Sequence, residues 1–131
     1  MINVSTDEVL LRVPARSEYG RIVRVGAAAL GLRQGMSFAE IDDLRLAIDE
    51  AIILLLDGIE GGEDSEHEIH IVFRIDDGAL ELHAERSVEA PLSDAAVHRF
   101  DAITSGLIDD YDLDASRGWL RLRKVAEVDE G

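Results

Sequence analysis

Asp49 and Glu50, side by side in LRLAIDEAIILLL, are the residues whose type and setting invite a chemical reading. Paired carboxylates suit acid–base work. They stand where a helical pattern changes from one polar face to none, so they mark either a site or the edge of a site that has been filled in. The plainer reading is that they are solvated, or pair with Arg45 one turn away. His67, His70, His83 and His98 are the only histidines, and two of them do not make a metal site. His70 and His83 fall on the polar side of two neighbouring strands, where a cross-strand pair is the common explanation. Ser87, Ser93 and Ser105 have no nucleophile-elbow context. Arg16, Arg21, Arg24 and Arg33 gather in one region of an acidic chain, a local inversion of charge. Such a cluster serves either internal ion pairs or a protein partner.

The element that positions the carboxylates is Ser37–Ile59, SFAEIDDLRLAIDEAIILLLDGI. Ser37 lies three residues before Glu40, the spacing of a capping box, in which each side chain bonds the other residue's amide. Ile41, Leu44, Ile48, Ala51, Ile52, Leu55 and Ile59 then recur with the period of one helical face. Ala51–Leu56 is apolar at every position, which predicts that this half of the helix is covered on most sides.

Composition bounds the rest. The chain has 131 residues, enough for one domain with a modest core, and 47% hydrophobic against 5% aromatic residues makes that core aliphatic. No run approaches the roughly 20 apolar residues of a membrane span, and MINVSTDEVLLRV lacks the pattern of a signal peptide. The absence of cysteine rules out disulfides and thiolate metal sites and fits a cytoplasmic protein. A formal charge of −15 repels phosphate backbones, so it argues against direct nucleic-acid binding; it favours solubility and attraction to a basic protein.

Along the chain, Glu8–Val13 predicts a strand ended by Pro14, and Arg16–Leu32 a helix. Asp57–Glu66 reads as a mobile exposed loop. Glu68–Ile75 and Ala79–Ala84 alternate as strands about a tight Asp76-Asp77-Gly78 turn. Ser93–Ile108 predicts a capped helix, Asp109–Ser116 an acidic loop, Arg117–Val125 a last strand, and Ala126–Gly131 a frayed tail. The order β-α-α-β-β-α-β describes a two-layer α/β sandwich, with helices on one face of a mixed, mainly antiparallel sheet. A single domain over residues 1–131, ordered from about 8 to 125, is expected.

Arg16-Ser-Glu-Tyr-Gly-Arg21 and Ile41–Ala51, IDDLRLAIDEA, resemble the start of anti-sigma factor protein kinases of the RsbW/SpoIIAB type. These are GHKL (HATPase_c-like) ATPases, and the element order matches over roughly residues 8–125. The resemblance implies a nucleotide site in three parts. A central helix carries E-x-x-x-N, with Glu as general base and Asn as Mg²⁺ ligand. Glu50 matches the Glu, but the Asn position is Leu54, which offers no oxygen to a hard cation. A D-x-G-x-G segment follows the second hairpin strand and holds adenine. Here it reads Ala84-Glu85-Arg86-Ser87-Val88, with Glu85 in the Asp role and no glycine. A lid then closes over the phosphates, whereas only Val88–Leu92 separates the hairpin from Ser93.

The implied function is an anti-sigma-like regulator that binds a sigma factor or an anti-sigma antagonist and has lost ATP binding and kinase activity. No cofactor or metal is expected. The first helix contributes to a homodimer and to the partner contact in that family, which carries Arg21 over as the contact residue with Arg16 and Arg24 beside it. The alternatives are an active ATP- and Mg²⁺-dependent Ser/Thr kinase, with Glu50 as base and Glu85 as adenine acceptor, or a GHKL-fold binding protein for a non-sigma partner.

Overall fold

Apolar alternation builds the sheet, and helical stripes cover it. The computed structural model describes residues 7–59, 67–87 and 91–127. Five strands, β1 (Asp7–Pro14), β2 (Glu68–Asp76), β3 (Ala79–Arg86), β4 (Asp110–Asp114) and β5 (Trp119–Val125), form one sheet in the order β1-β2-β3-β5-β4. Three helices complete the described fold: α1 (Gly20–Arg33), entered through a 3-10 turn at Ser17–Tyr19, α2 (Phe38–Leu55) and α3 (Asp94–Thr104). Among the described residues no helix is long and apolar enough to cross a membrane.

Two expectations change here. Every strand pair is antiparallel, so the sheet is not mixed. The Asp109–Ser116 segment holds a strand instead of a loop. Its acidic composition hides two inward residues: Tyr111 pairs opposite Leu122 and Leu113 opposite Leu120. Asp110, Asp112 and Asp114 alternate with them, and charge on an edge strand discourages pairing with another chain. The expectations for an exposed loop at 60–66, a lid-less connector at 88–90 and a frayed tail at 128–131 lie outside the described residues.

One sheet face is the core. Ile69, Ile71 and Phe73 of β2, Leu80, Leu82 and Ala84 of β3, and Leu120 and Leu122 of β5 are buried against Val23 and Ala27 of α1, Ile48 and Leu55 of α2, and Phe100 of α3. α1 and α2 approach closely at Gly31, where a Cβ would stand 2.7 Å from the Ile41 Cδ1 and 3.0 Å from the Met36 sulfur. A side chain at this position would have to push both of those side-chain ends aside.

The capping box forms. The Glu40 amide donates to Ser37 Oγ at 3.1 Å, and the Ser37 amide to Glu40 Oε1 at 2.9 Å. The Ser37 amide is the main reason the Glu40 carboxyl lies below its ordinary pKa, burial acting against it and the Glu127 amide adding to it. α3 is capped likewise, Ser93 Oγ accepting from the Ala96 amide at 3.1 Å. The expectation that Ala51–Leu56 is covered on most sides holds, with Ala51, Ile52, Leu54 and Leu55 buried and Ile53 the exception. α2 has the sheet beneath it and a helix on each flank but nothing above, so Ile53 points outward with 49% of its surface exposed.

Candidate functional site

Glu50 and Leu54 lie one turn apart on the side of α2 that faces α3. Their surroundings decide what the pair can do. Arg99 of α3 reaches back to Glu50 with both branches of its guanidinium, Nε at 3.1 Å from Oε1 and Nη2 at 3.5 Å from Oε2. The Glu50 side chain is left 13% exposed while Arg99 stays 58% exposed above it. Bidentate pairing of this kind is directional as well as charged. Leu54 is buried at 2% exposure. Between the two helices remains a cavity of about 310 Å³, walled by Glu50, Ile53, Leu54, Ala96, Arg99 and Phe100. That is the floor of the range of roughly 300–1,000 Å³ in which small-molecule sites fall.

The far end of this gap is stapled. Asp57 Oδ2 accepts from the Ser93 amide at 2.8 Å, tying the end of α2 to the start of α3. Beneath it, Arg86 is 4% exposed and donates to the main-chain carbonyls of Asp57 and, at 3.2 Å, Pro91. Its stem lies against Gly118, where φ is +70° and a Cβ would come 2.6 Å from the Arg86 Nε. A buried guanidinium that donates to two carbonyls thus fills the space at the end of β3. Sequence reasoning passed over Arg86, although strand parity reveals it: counting on by twos from Leu80, Leu82 and Ala84 puts residue 86 inward.

The same parity displaces Glu85. It sits on the sheet face turned away from the helices, opposite His70 and Trp119, and takes Arg117 at 3.3 Å. Glu85 therefore lines a different cavity from the one walled by Glu50.

Asp49 points to the other flank of α2 and pairs with Arg24 of α1 at 3.3 Å, not with Arg45, whose neighbour is Asp42 at 3.9 Å. Arg16 lies 3.9 Å from Glu18. Arg21 is exposed and has no ion-pair partner among the described residues. A second cavity of about 320 Å³ runs between α1 and α2, walled by Arg21, Arg24, Asp49, Ile52, Ile53 and Leu56.

On the outer sheet face His70 and His83 sit diagonally instead of opposite, since His70 faces Glu85 and His83 faces Val72. Each has a carboxylate neighbour: Glu68 lies 3.3 Å from His70 Nε2 and Glu81 lies 2.8 Å from His83 Nε2. Burial opposes ionisation of Glu81, but hydrogen bonds from His83 and Arg123 and the charge of Arg121 outweigh it and hold the carboxyl below its ordinary value. Among the described residues no group of three histidine, cysteine or acidic side chains is arranged to hold a metal ion.

This frame of three helices over one face of an antiparallel sheet has a counterpart among solved structures. The RsbU and RsbW domains of a Mycobacterium tuberculosis protein match it with a TM-score of 0.62 at 14% identity, over 92% of this chain and 32% of that one. In sequence the chain is similar to RsbW proteins. It is 33% identical over 76 residues to the serine-protein kinase RsbW of Listeria monocytogenes, across 58% of this chain and 48% of that protein. It is 29% identical over 82 residues to that of Bacillus pumilus, across 62% and 51% respectively. The chain spans about half the length of the curated relatives it matches. No family model matches it.

Proposed function

We propose that this chain is an anti-sigma-factor-like regulator that acts by binding a protein, a sigma factor or its antagonist, and that it does so without Mg-ATP or phosphoryl transfer. The observation that carries the reading is the closure around Glu50. Both carboxylate oxygens are engaged by Arg99, and the residue one turn on is a buried leucine. Magnesium needs oxygen donors, and Leu54 has none to give. With Glu85 on the opposite sheet face, the donor set does not fit a nucleotide–magnesium complex.

Protein binding requires only a surface. α1 supplies Arg21, exposed, beside Arg16 and Arg24, together with the outward apolar residues Ile22, Val25 and Leu32. A homodimer through this helix fits the same residues. The setting is cytoplasmic, away from nucleic acid and membrane, as the net charge of −15 favours. The relatives' name, serine-protein kinase, favours a second reading in which Glu50 remains a base; that reading requires Arg99 to leave it. A partner other than a sigma factor is compatible with the same surface.

The test is capture of purified candidate sigma factors by the wild-type chain and by Arg21→Glu. Reversing an interfacial charge is expected to weaken capture by about tenfold or more. Capture that ignores the substitution removes Arg21 from the interface.

A further inference from the structure

Ile53 stands as an exposed ridge on α2 with a cavity on each side, about 320 Å³ towards α1 and about 310 Å³ towards α3. Both cavities have Glu50 and Ile53 as walls, so they form one corrugated surface across the three helices. Its walls are largely apolar: Ile52 and Leu56 on one side, Leu54, Ala96 and Phe100 on the other. Charge is layered at each mouth. Towards α3 the guanidinium of Arg99 is 58% exposed over a Glu50 side chain that is 13% exposed. Towards α1 Arg21 is exposed without an ion-pair partner among the described residues, while Arg24 is engaged by Asp49. In a chain of net charge −15, Arg21 and Arg99 present exposed guanidinium groups at this surface, with Asp49 and Asp57 the carboxylates beside them.

We propose that this surface docks a short amphipathic helix of a protein partner. Apolar side chains one turn apart seat on either side of Ile53, as ridges pack into grooves, and flanking carboxylates are taken by Arg21 and Arg99. This deepens the regulator reading, on which it rests through Arg21, by naming the partner's local chemistry: apolar and acidic, although the chain as a whole attracts bases.

The probe is a fluorescein-labelled helical peptide of about five turns with leucines one turn apart and glutamates beside them, compared with its lysine counterpart by anisotropy against the full chain. The glutamate peptide is expected to bind about tenfold more tightly, and Ile53→Asp or Arg99→Ala to remove about that factor with the circular dichroism spectrum unchanged. Binding of neither peptide, equal binding, a preference for lysine, or indifference to Ile53→Asp overturns the proposal. Displacement of the glutamate peptide by Mg-ATP or inorganic phosphate overturns it too, by reassigning the arginines to a phosphate ligand. Peptide binding without sigma-factor capture counts against the regulator reading alone. Sigma-factor capture that ignores Ile53→Asp, with no peptide bound, counts against the docking surface alone.

Discussion

Leu54 shows how much one side chain decides. At 2% exposure beside Phe100 it is part of the packing between α2 and α3, so restoring an amide there does not restore a metal site. Leu54→Asn is expected to cost about 3 kcal/mol in urea denaturation, from lost apolar burial and an amide with poor hydrogen-bonding prospects, without creating Mg²⁺ affinity. Glu81 supplies a second prediction. Its folded-state pKa is depressed, so the unfolded chain binds its proton first, and its stabilising contribution is complete above 4.5 and fades as pH falls through the lower folded value. Glu81→Gln should be less stable than wild type at neutral pH, and the gap should shrink below pH 4.5 in parallel melts. A gap that stays constant across that window removes the carboxylate's charge from the explanation. At this scale Glu50 and Leu54 were legible because helix spacing places them together. The pairs Glu50–Arg99 and Asp49–Arg24 were not, because they join residues 49 and 25 apart in sequence and exist only once the helices pack.

α2 is the element most fully announced by local sequence: cap, stripe and polar positions agree as far as Leu55, where the helix ends and leaves Ile59 of the expected stripe outside it. The cap is a stability device, so Ser37→Ala should cost about 1 kcal/mol by denaturant unfolding while leaving partner capture intact. A loss under a few tenths of that figure means the Glu127 amide or water compensates at Glu40. β4 was hidden for the opposite reason. A five-residue edge strand with carboxylates on its outward positions has the composition of a loop, and only its register against Leu120 and Leu122 reveals the inward pair. Alternation also decides Glu85 against Arg86. The motif resemblance draws attention to the acid, whereas strand parity sends the acid out and the arginine in.

For the whole molecule, the resemblance to RsbW and the shared fold set the frame, while chemistry at the α2–α3 gap sets the reading. Relatives and chain share a helix pattern and a sheet, and neither feature requires a nucleotide. In this chain α3 is held directly to α2, through Arg99 to Glu50 and through Asp57 to Ser93. A partner-binding regulator needs that fixed surface and no metal ligands in the cavity between the two helices. Calorimetric titration of the full chain with Mg-ATP measures this most directly. The account predicts no saturable heat up to about 1 mM nucleotide; a dissociation constant of a few micromolar, about 8 kcal/mol of binding energy, would contradict it.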